Sequence, residues 1–197
     1  MYKRIDELVD NIENKVIKYR RDFHKHPEGG WTEFRTASLI ARKLIELGYE
    51  IKLGREVIDN DSRMEVPDDR ELEKNYIRAL EQGADKELIQ SLKGGFTGVV
   101  GILSNGVGPN IALRFDIDAL EIQESEDKEH FPVNKRFSSI NKNVMHACGH
   151  DGHAAVGLGV AEVLSEIKEQ LNGTIKLIFQ PAEEGVKGAK SMVQVDF

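Results

Sequence analysis

Cysteine is almost missing: Cys148 stands alone among 197 residues. A single cysteine makes no internal disulfide, so a reducing cytoplasm is the fitting compartment and the thiol stays free for chemistry or a metal. Long apolar runs are missing too; none approaches the ~20 residues of a membrane span. The N-terminus, "MYKRIDELVD", is charged where a signal peptide would be apolar. Basic excess is also lacking. Lys and Arg number 27 against 34 acids, a net charge of −7, and no basic stripe offsets that balance, which disfavours a nucleic-acid binder. Neither repeats nor low-complexity tracts are visible. What is there is ordinary for a soluble globular chain, 40% hydrophobic and 31% charged, long enough for one well-buried domain and short for two.

Ile5, Leu8, Val9, Ile12, Val16, Ile17, Tyr19 and Phe23 have near-helical spacing and predict a helix over Arg4–His26, ended around Pro27 and Gly29–Gly30. Thr32 is expected to cap a second helix, with Phe34, Ala37, Ile40, Ala41, Leu44 and Leu47 on its apolar face and Gly48 closing it. Tyr49–Leu53 reads as a short strand. The stretch 55–95 opens on the polar "DNDSRMEVPDD" and then gives helical pieces at Leu72–Leu80 and Asp85–Leu92. It reads as a solvated helical insertion at the surface, not a separate domain. "TGVVGIL" and "NIALRFDID" are strand-like, and the turn-rich "SNGVGP" between them suggests a hairpin. Residues 121–143 are polar loop. Asp151–Gln170 is a long helix stopped by Gly173, and "TIKLIFQ" is a buried strand. "PAEEGVKGAKSMV" is a loop entering a helix, and "VQVDF" looks like the start of a strand. Helices alternating with strands predict an α/β fold, a sheet flanked by helices.

Three clusters carry possible chemistry. In "MHACGHDGH", His146, Cys148, His150, Asp151 and His153 fall within eight positions. Cys148 as a nucleophile would need a base placed at its sulfur, and close sequence neighbours rarely provide that geometry. As a metal ligand it gains from a short loop, because Gly149 permits a turn that aims Cys148 and His150 one way. A buried small residue is the third reading. Asp151 could cap the following helix or orient a histidine. In "LRFDIDAL", Arg114, Asp116 and Asp118 alternate and can share one face of a strand, with Asp118 as a mere loop start the plainer alternative. In "FQPAEEG", Glu183 and Glu184 follow a strand; adjacent acids could supply a ligand and a general base to one metal site. All three clusters end or follow strands, so they are expected to meet at one rim of the sheet.

Together, and in this order, "RFDIDAL", "MHACGHDGH" and "FQPAEEG" resemble the M20 family of metallopeptidases, in its amidohydrolase branch, whose members hydrolyse N-acyl amino acids, hippurate and auxin conjugates. "RRDFHKHPEGGWTEFRTASLIA", "LGYEIKLGREVI" and "GGFTGVVGIL" narrow the resemblance to the type that cleaves p-aminobenzoyl-glutamate. The resemblance implies a zinc-peptidase-like catalytic domain with a mixed sheet and two divalent metal ions, Mn2+ or Zn2+. Cys148, His150 and Glu184 would be ligands, Glu183 the general base and Asp116 an acid that helps orient the metal site. His153 is part of the motif without an assured ligand role. The substrate would be a small N-acyl or aroyl amino acid, and the full-length form a homo- or hetero-oligomer. Family members are longer, with a lid or dimerisation domain and further histidine ligands, yet no histidine follows His153. The chain is therefore expected to be the N-terminal part of the catalytic domain, incomplete at its C-terminus and without the lid. The alternative is a catalytically silent fragment or partner subunit.

Overall fold

The computed structural model describes residues 2–197. Its elements are α1 (Tyr2–Lys25), α2 (Phe34–Glu46), β1 (Glu50–Leu53), α3 (Asp69–Glu81), β2 (Val99–Asn105), β3 (Asn110–Asp116), the single turn α4 (Phe131–Asn134), α5 (His150–Glu166), β4 (Gly173–Gln180) and α6 (Ala189–Val193). Short 3-10 turns lie at Gly54–Glu56, Leu88–Leu92 and Lys168–Gln170. The α/β expectation is met. One mixed four-stranded sheet has the order β1-β2-β4-β3, with helices packed against it.

The hairpin expected around "SNGVGP" does not form. β4 lies between the two strands that link joins, antiparallel to β2 (Gly101 opposite Leu177) and parallel to β3 (Leu113 opposite Leu177). Two physical reasons favour this order. β4 is the more apolar strand, with Leu177 and Phe179 fully buried, so it takes an interior place, while residues 110–114 of β3 stay exposed at the edge. Parallel neighbours also need a long crossover, and α5 supplies it between β3 and β4. The Gly106–Pro109 link instead docks on the start of β4, where the Thr174 N–H donates to the Pro109 carbonyl at 3.0 Å.

α5 is buried on two opposite sides, which explains its lack of a one-sided polar pattern. Gly157 faces the sheet so closely that a Cβ there would sit 2.6 Å from Phe179 Cε1. Gly159 faces α1, where a Cβ would lie 2.9 Å from Val16 Cγ2.

Segment 55–95 holds the two helical pieces in place, but not as a solvated excursion. Leu72, Tyr76, Ala79, Ile89 and Leu92 enter the same core as Phe34, Leu44 and Leu177. Asp68 caps α3, accepting from the Arg70 and Glu71 N–H groups at 3.0 and 2.9 Å.

Thr32 is not the cap of α2; its hydroxyl donates to the Gly29 carbonyl at 2.7 Å. The orphan N–H groups of Arg35 and Thr36 go to the buried Glu28 carboxylate at 3.0 and 2.8 Å. An acid at this end also meets the positive end of the helix dipole. Gln194–Phe197 forms no strand.

Candidate metal centre

β3 and β4 run parallel and end side by side, with Asp116 opposite Gln180. The chain leaving β3 carries Asp118, and the chain leaving β4 carries Glu183 and Glu184. α5 begins against them. Gly149 turns the chain with φ 99°, in the left-handed region, so that Cys148 and His150 flank the turn. The three sequence clusters thus do meet at the C-terminal ends of the parallel strands, the usual place for sites in such sheets.

Two trios of potential ligand atoms form there, each within 4.8 Å, and they share one residue: Cys148, His150 and Glu184, and Asp116, His150 and His153. His150 Nδ1 lies 3.0 Å from the Asp118 carbonyl and 3.3 Å from Asp118 Oδ1, and its Nε2 lies 3.7 Å from Glu183 Oε2. Nδ1–H therefore donates toward Asp118, which leaves Nε2 as the nitrogen that can face an ion once its proton is released. His153 Nδ1 is 3.3 Å from Asp116 Oδ2, and the His150 and His153 rings stack with centroids 5.6 Å apart. Arg114 bridges the strand ends, 3.2 Å from both Asp116 Oδ2 and Gln180 Oε1.

Asp118 is the residue whose role the sequence left undecided. It is buried, braces His150, and accepts the Glu184 N–H on Oδ2 at 2.8 Å. The alternation 114/116/118 was its only signal. Asp151 does not orient a histidine of the cluster. Its Oδ1 accepts from the Gly152 N–H at 2.8 Å, and its Oδ2 meets His24 of α1 at 2.9 Å and Arg20 at 3.2 Å. His24 reaches Glu124 with its other nitrogen at 2.9 Å, tying the 121–143 loop to α1. His146 is buried, belongs to neither trio, and is held down at about 4 by burial.

The residues fit a cation. Asp116 Oδ1 and Glu184 Oε1 are buried oxygens without a hydrogen-bond partner, an arrangement that is costly unless a positive charge faces it. His150 is pushed up to about 9, foremost by its hydrogen bond to Asp118. The Cys148 thiol is pushed above its ordinary value, first by its hydrogen bond to Glu184, then by burial and the charges of the neighbouring acids. A thiol nucleophile needs the opposite shift, and Cys148 is exposed, so neither the nucleophile nor the buried-residue reading suits it. Thiolate, imidazole and carboxylate together suit a divalent transition ion.

Residues 112–197 match the model of peptidase family M20/M25/M40. Over 190 residues the chain is 49% identical to one subunit of the p-aminobenzoyl-glutamate hydrolase of Escherichia coli (strain K12), covering 96% of this chain and 44% of that protein. It is 48% identical to indole-3-acetyl-aspartic acid hydrolase of Enterobacter agglomerans, with the same two shares. Among solved structures, an aminobenzoyl-glutamate utilization protein from Klebsiella pneumoniae superposes with a TM-score of 0.81 at 46% identity, over 97% of this chain and 42% of that one. A dinuclear metal binding peptidase of the M20 family from Bacillus subtilis gives 0.65 at 34%, over 94% and 39%. The chain spans less than half the length of each of these proteins. The family resemblance drawn from the motifs is borne out.

Proposed function

We propose that this chain is the ligand-bearing part of a metal-dependent amidohydrolase acting on N-acyl or aroyl amino acids. The observation that carries the proposal is the pair of ligand trios sharing His150, with Glu183 at the rim. Cys148, His150 and Glu184 would hold a divalent ion, and Asp116 would align the adjoining trio. A pair of Mn2+ or Zn2+ ions is the fitting complement, supported by the dinuclear M20 relative. Such ions would polarise the amide carbonyl and make water nucleophilic near neutral pH.

The chain's own groups do the rest. Asp118 fixes the tautomer and direction of His150. Glu183 is half-buried with its carboxylate toward the centre, so it can take the proton of the attacking water and return it to the leaving nitrogen.

The two curated relatives are named for amides joining an aromatic acyl group to glutamate or aspartate. An aromatic acyl amide of an acidic amino acid is therefore the proposed substrate class, with p-aminobenzoyl-glutamate first, giving p-aminobenzoate and glutamate. The word "subunit" in one relative's name supports an oligomer with a second chain. A cytoplasmic site of action fits a thiol that must stay reduced.

The test is release of p-aminobenzoate with Mn2+ or Zn2+, followed beside metal binding by calorimetry. Glu183→Gln is expected to bind metal and lose hydrolysis by about 100-fold or more. Hydrolysis untouched by that change overturns the base assignment, and a wild-type chain that binds no metal overturns the reading as a whole. Metal binding without hydrolysis would favour a silent subunit completed by another polypeptide.

A further inference from the structure

We propose that Glu33 is a positioning residue of this site, whose buried carboxyl fixes the Pro181–Gly185 turn and so aims Glu183 and Glu184. The functional part of this inference rests on the hydrolase reading above; the fixing of the turn does not.

Glu33 sits at the N-cap of α2 yet makes no capping bond with its side chain. It is fully buried and spends both oxygens elsewhere. Oε1 accepts the Ala182 N–H at 2.8 Å, and Oε2 accepts the Thr97 hydroxyl at 2.6 Å. Two residues on, the Glu184 N–H goes to Asp118 Oδ2 at 2.8 Å. Alternate N–H groups of one short turn are thus held by two buried acids from two separate parts of the fold.

The turn needs such holding. Ala182 has φ 49°, a left-handed conformation that a residue with a Cβ seldom adopts without outside constraint. Its methyl group is also packed tightly: a Cβ on Gly30 would come within 3.1 Å of it. Within the turn, Lys187 and Gly188 N–H groups converge on the Ala182 carbonyl at 3.1 and 2.8 Å. Ala182 is therefore the pivot from which the two glutamates project, and Glu33 holds its N–H.

No substrate can reach Glu33, so it acts through Ala182 and not on the reacting atoms. Burial, with Asp118 adding to it, pushes the Glu33 carboxyl up to about 8. That shift favours the protonated form, in which Oε2–H donates to Thr97 Oγ1 in place of accepting from it and the group lies near Asp118 without mutual repulsion. A glutamine has the same shape and neutrality. Its carbonyl can accept from Ala182, and its amide can donate to Thr97, whose hydroxyl serves either way.

The experiment compares wild type, Glu33→Gln, Glu33→Ala and Thr97→Val by hydrogen exchange of the 181–188 segment and by Co2+ titration, read through the absorption of a cobalt–thiolate bond at Cys148. Glu33→Ala is expected to speed exchange in the turn on the order of tenfold or more, with the sheet strands unchanged. Its Co2+ affinity should fall about 10- to 100-fold. Glu33→Gln should stay near wild type in both, a rescue that loss of mere bulk would not require. If Glu33→Ala does not fold, Thr97→Val, which removes only one hydroxyl, is expected to loosen the same segment alone by several-fold. Bound Co2+ with unchanged exchange in the turn, or a Glu33→Gln chain as impaired as Glu33→Ala, overturns the role of Glu33 alone. A wild-type chain that binds no Co2+ overturns the hydrolase reading, and that role with it, whatever the exchange pattern.

Discussion

Asp118→Asn gives the sharpest test of the electrostatics at this centre. The change keeps the size of the side chain and an acceptor oxygen near His150 Nδ1, and removes the charge. In the wild type His150 is lifted from 6.5 to about 9, chiefly by the Asp118 side chain, against the opposing effect of burial. That gap corresponds to roughly 3 kcal/mol at about 1.4 kcal/mol per tenfold. The Asp118 carbonyl and Asp116 also raise His150, so the variant should lose about 1.4 kcal/mol or more of it, at least one pH unit in its titration. The sign for stability follows from linkage. A histidine whose folded-state value is raised contributes in full below pH 6.5, and that contribution disappears as pH rises through about 9. Glu33, raised from 4.5 to about 8, adds a fall of its own that overlaps this window, so the His150 share is read in a Glu33→Gln background. The assay is NMR titration of the imidazole in metal-free protein, with His150 assigned by its disappearance in His150→Gln. Urea denaturation at pH 6.5, 8 and 9 runs beside it. A wild-type midpoint near 6.5, or one unmoved by Asp118→Asn, refutes the reasoning.

Glu28→Ala leaves the Arg35 and Thr36 N–H groups at the start of α2 without acceptors, and should cost about 2 kcal/mol in urea denaturation. Gly157→Ala forces a methyl against Phe179 and Phe115, and should lower stability by about 1–3 kcal/mol; a neutral result would mean α5 can move off the sheet. Because His150 and Cys148 are both held toward their protonated forms, metal binding should release protons and tighten as pH rises from 7 to 9. Calorimetry in buffers of different ionisation enthalpy measures that release, and heats independent of buffer would contradict it.

The helices, the β4 strand and the helical pieces of 55–95 were legible because their signals are local. Apolar spacing in α1 and α2, and the run "TIKLIFQ", reflect faces that each element buries by itself. Pairing is not local. β2 and β3 look like a hairpin because only a short link separates them, and nothing in those residues announces that β4, far along the chain, is the better neighbour for both. The cap of α2 failed for a related reason. The sequence offers Thr32 at the expected offset, while the acceptor used is Glu28, which reaches its N–H groups only because the turn at Gly29–Gly30 folds it back. Segment 55–95 looked solvated because its charges outnumber its apolar residues, but Leu72, Tyr76 and Ala79 fall one helical turn apart and fill the core.

At the candidate metal centre the same division separates the proposed ligands from their supports. Ligands and a base must be particular chemical types on a short turn, so the proposed ligands Cys148, His150 and Glu184 and the proposed base Glu183 leave a dense mark in the sequence. Their supports only need an acceptor oxygen in the right place, which any fold element can offer. Asp118 carried a weak mark because strand alternation puts it beside Asp116, and Glu33 carried none, since the cap of the second helix was assigned to Thr32 beside it. Burial turns such a residue into a site component: an acid at the surface of α2 would shape nothing, whereas Glu33 under Ala182 ties down the turn that bears the two glutamates. Carboxylates that a sequence reader assigns to capping or solvation are thus the natural place to look for the missing supports of a metal site. The criterion that finds them is a hydrogen bond to the backbone N–H of a ligand-bearing turn, as Asp118 makes to Glu184 and Glu33 makes to Ala182.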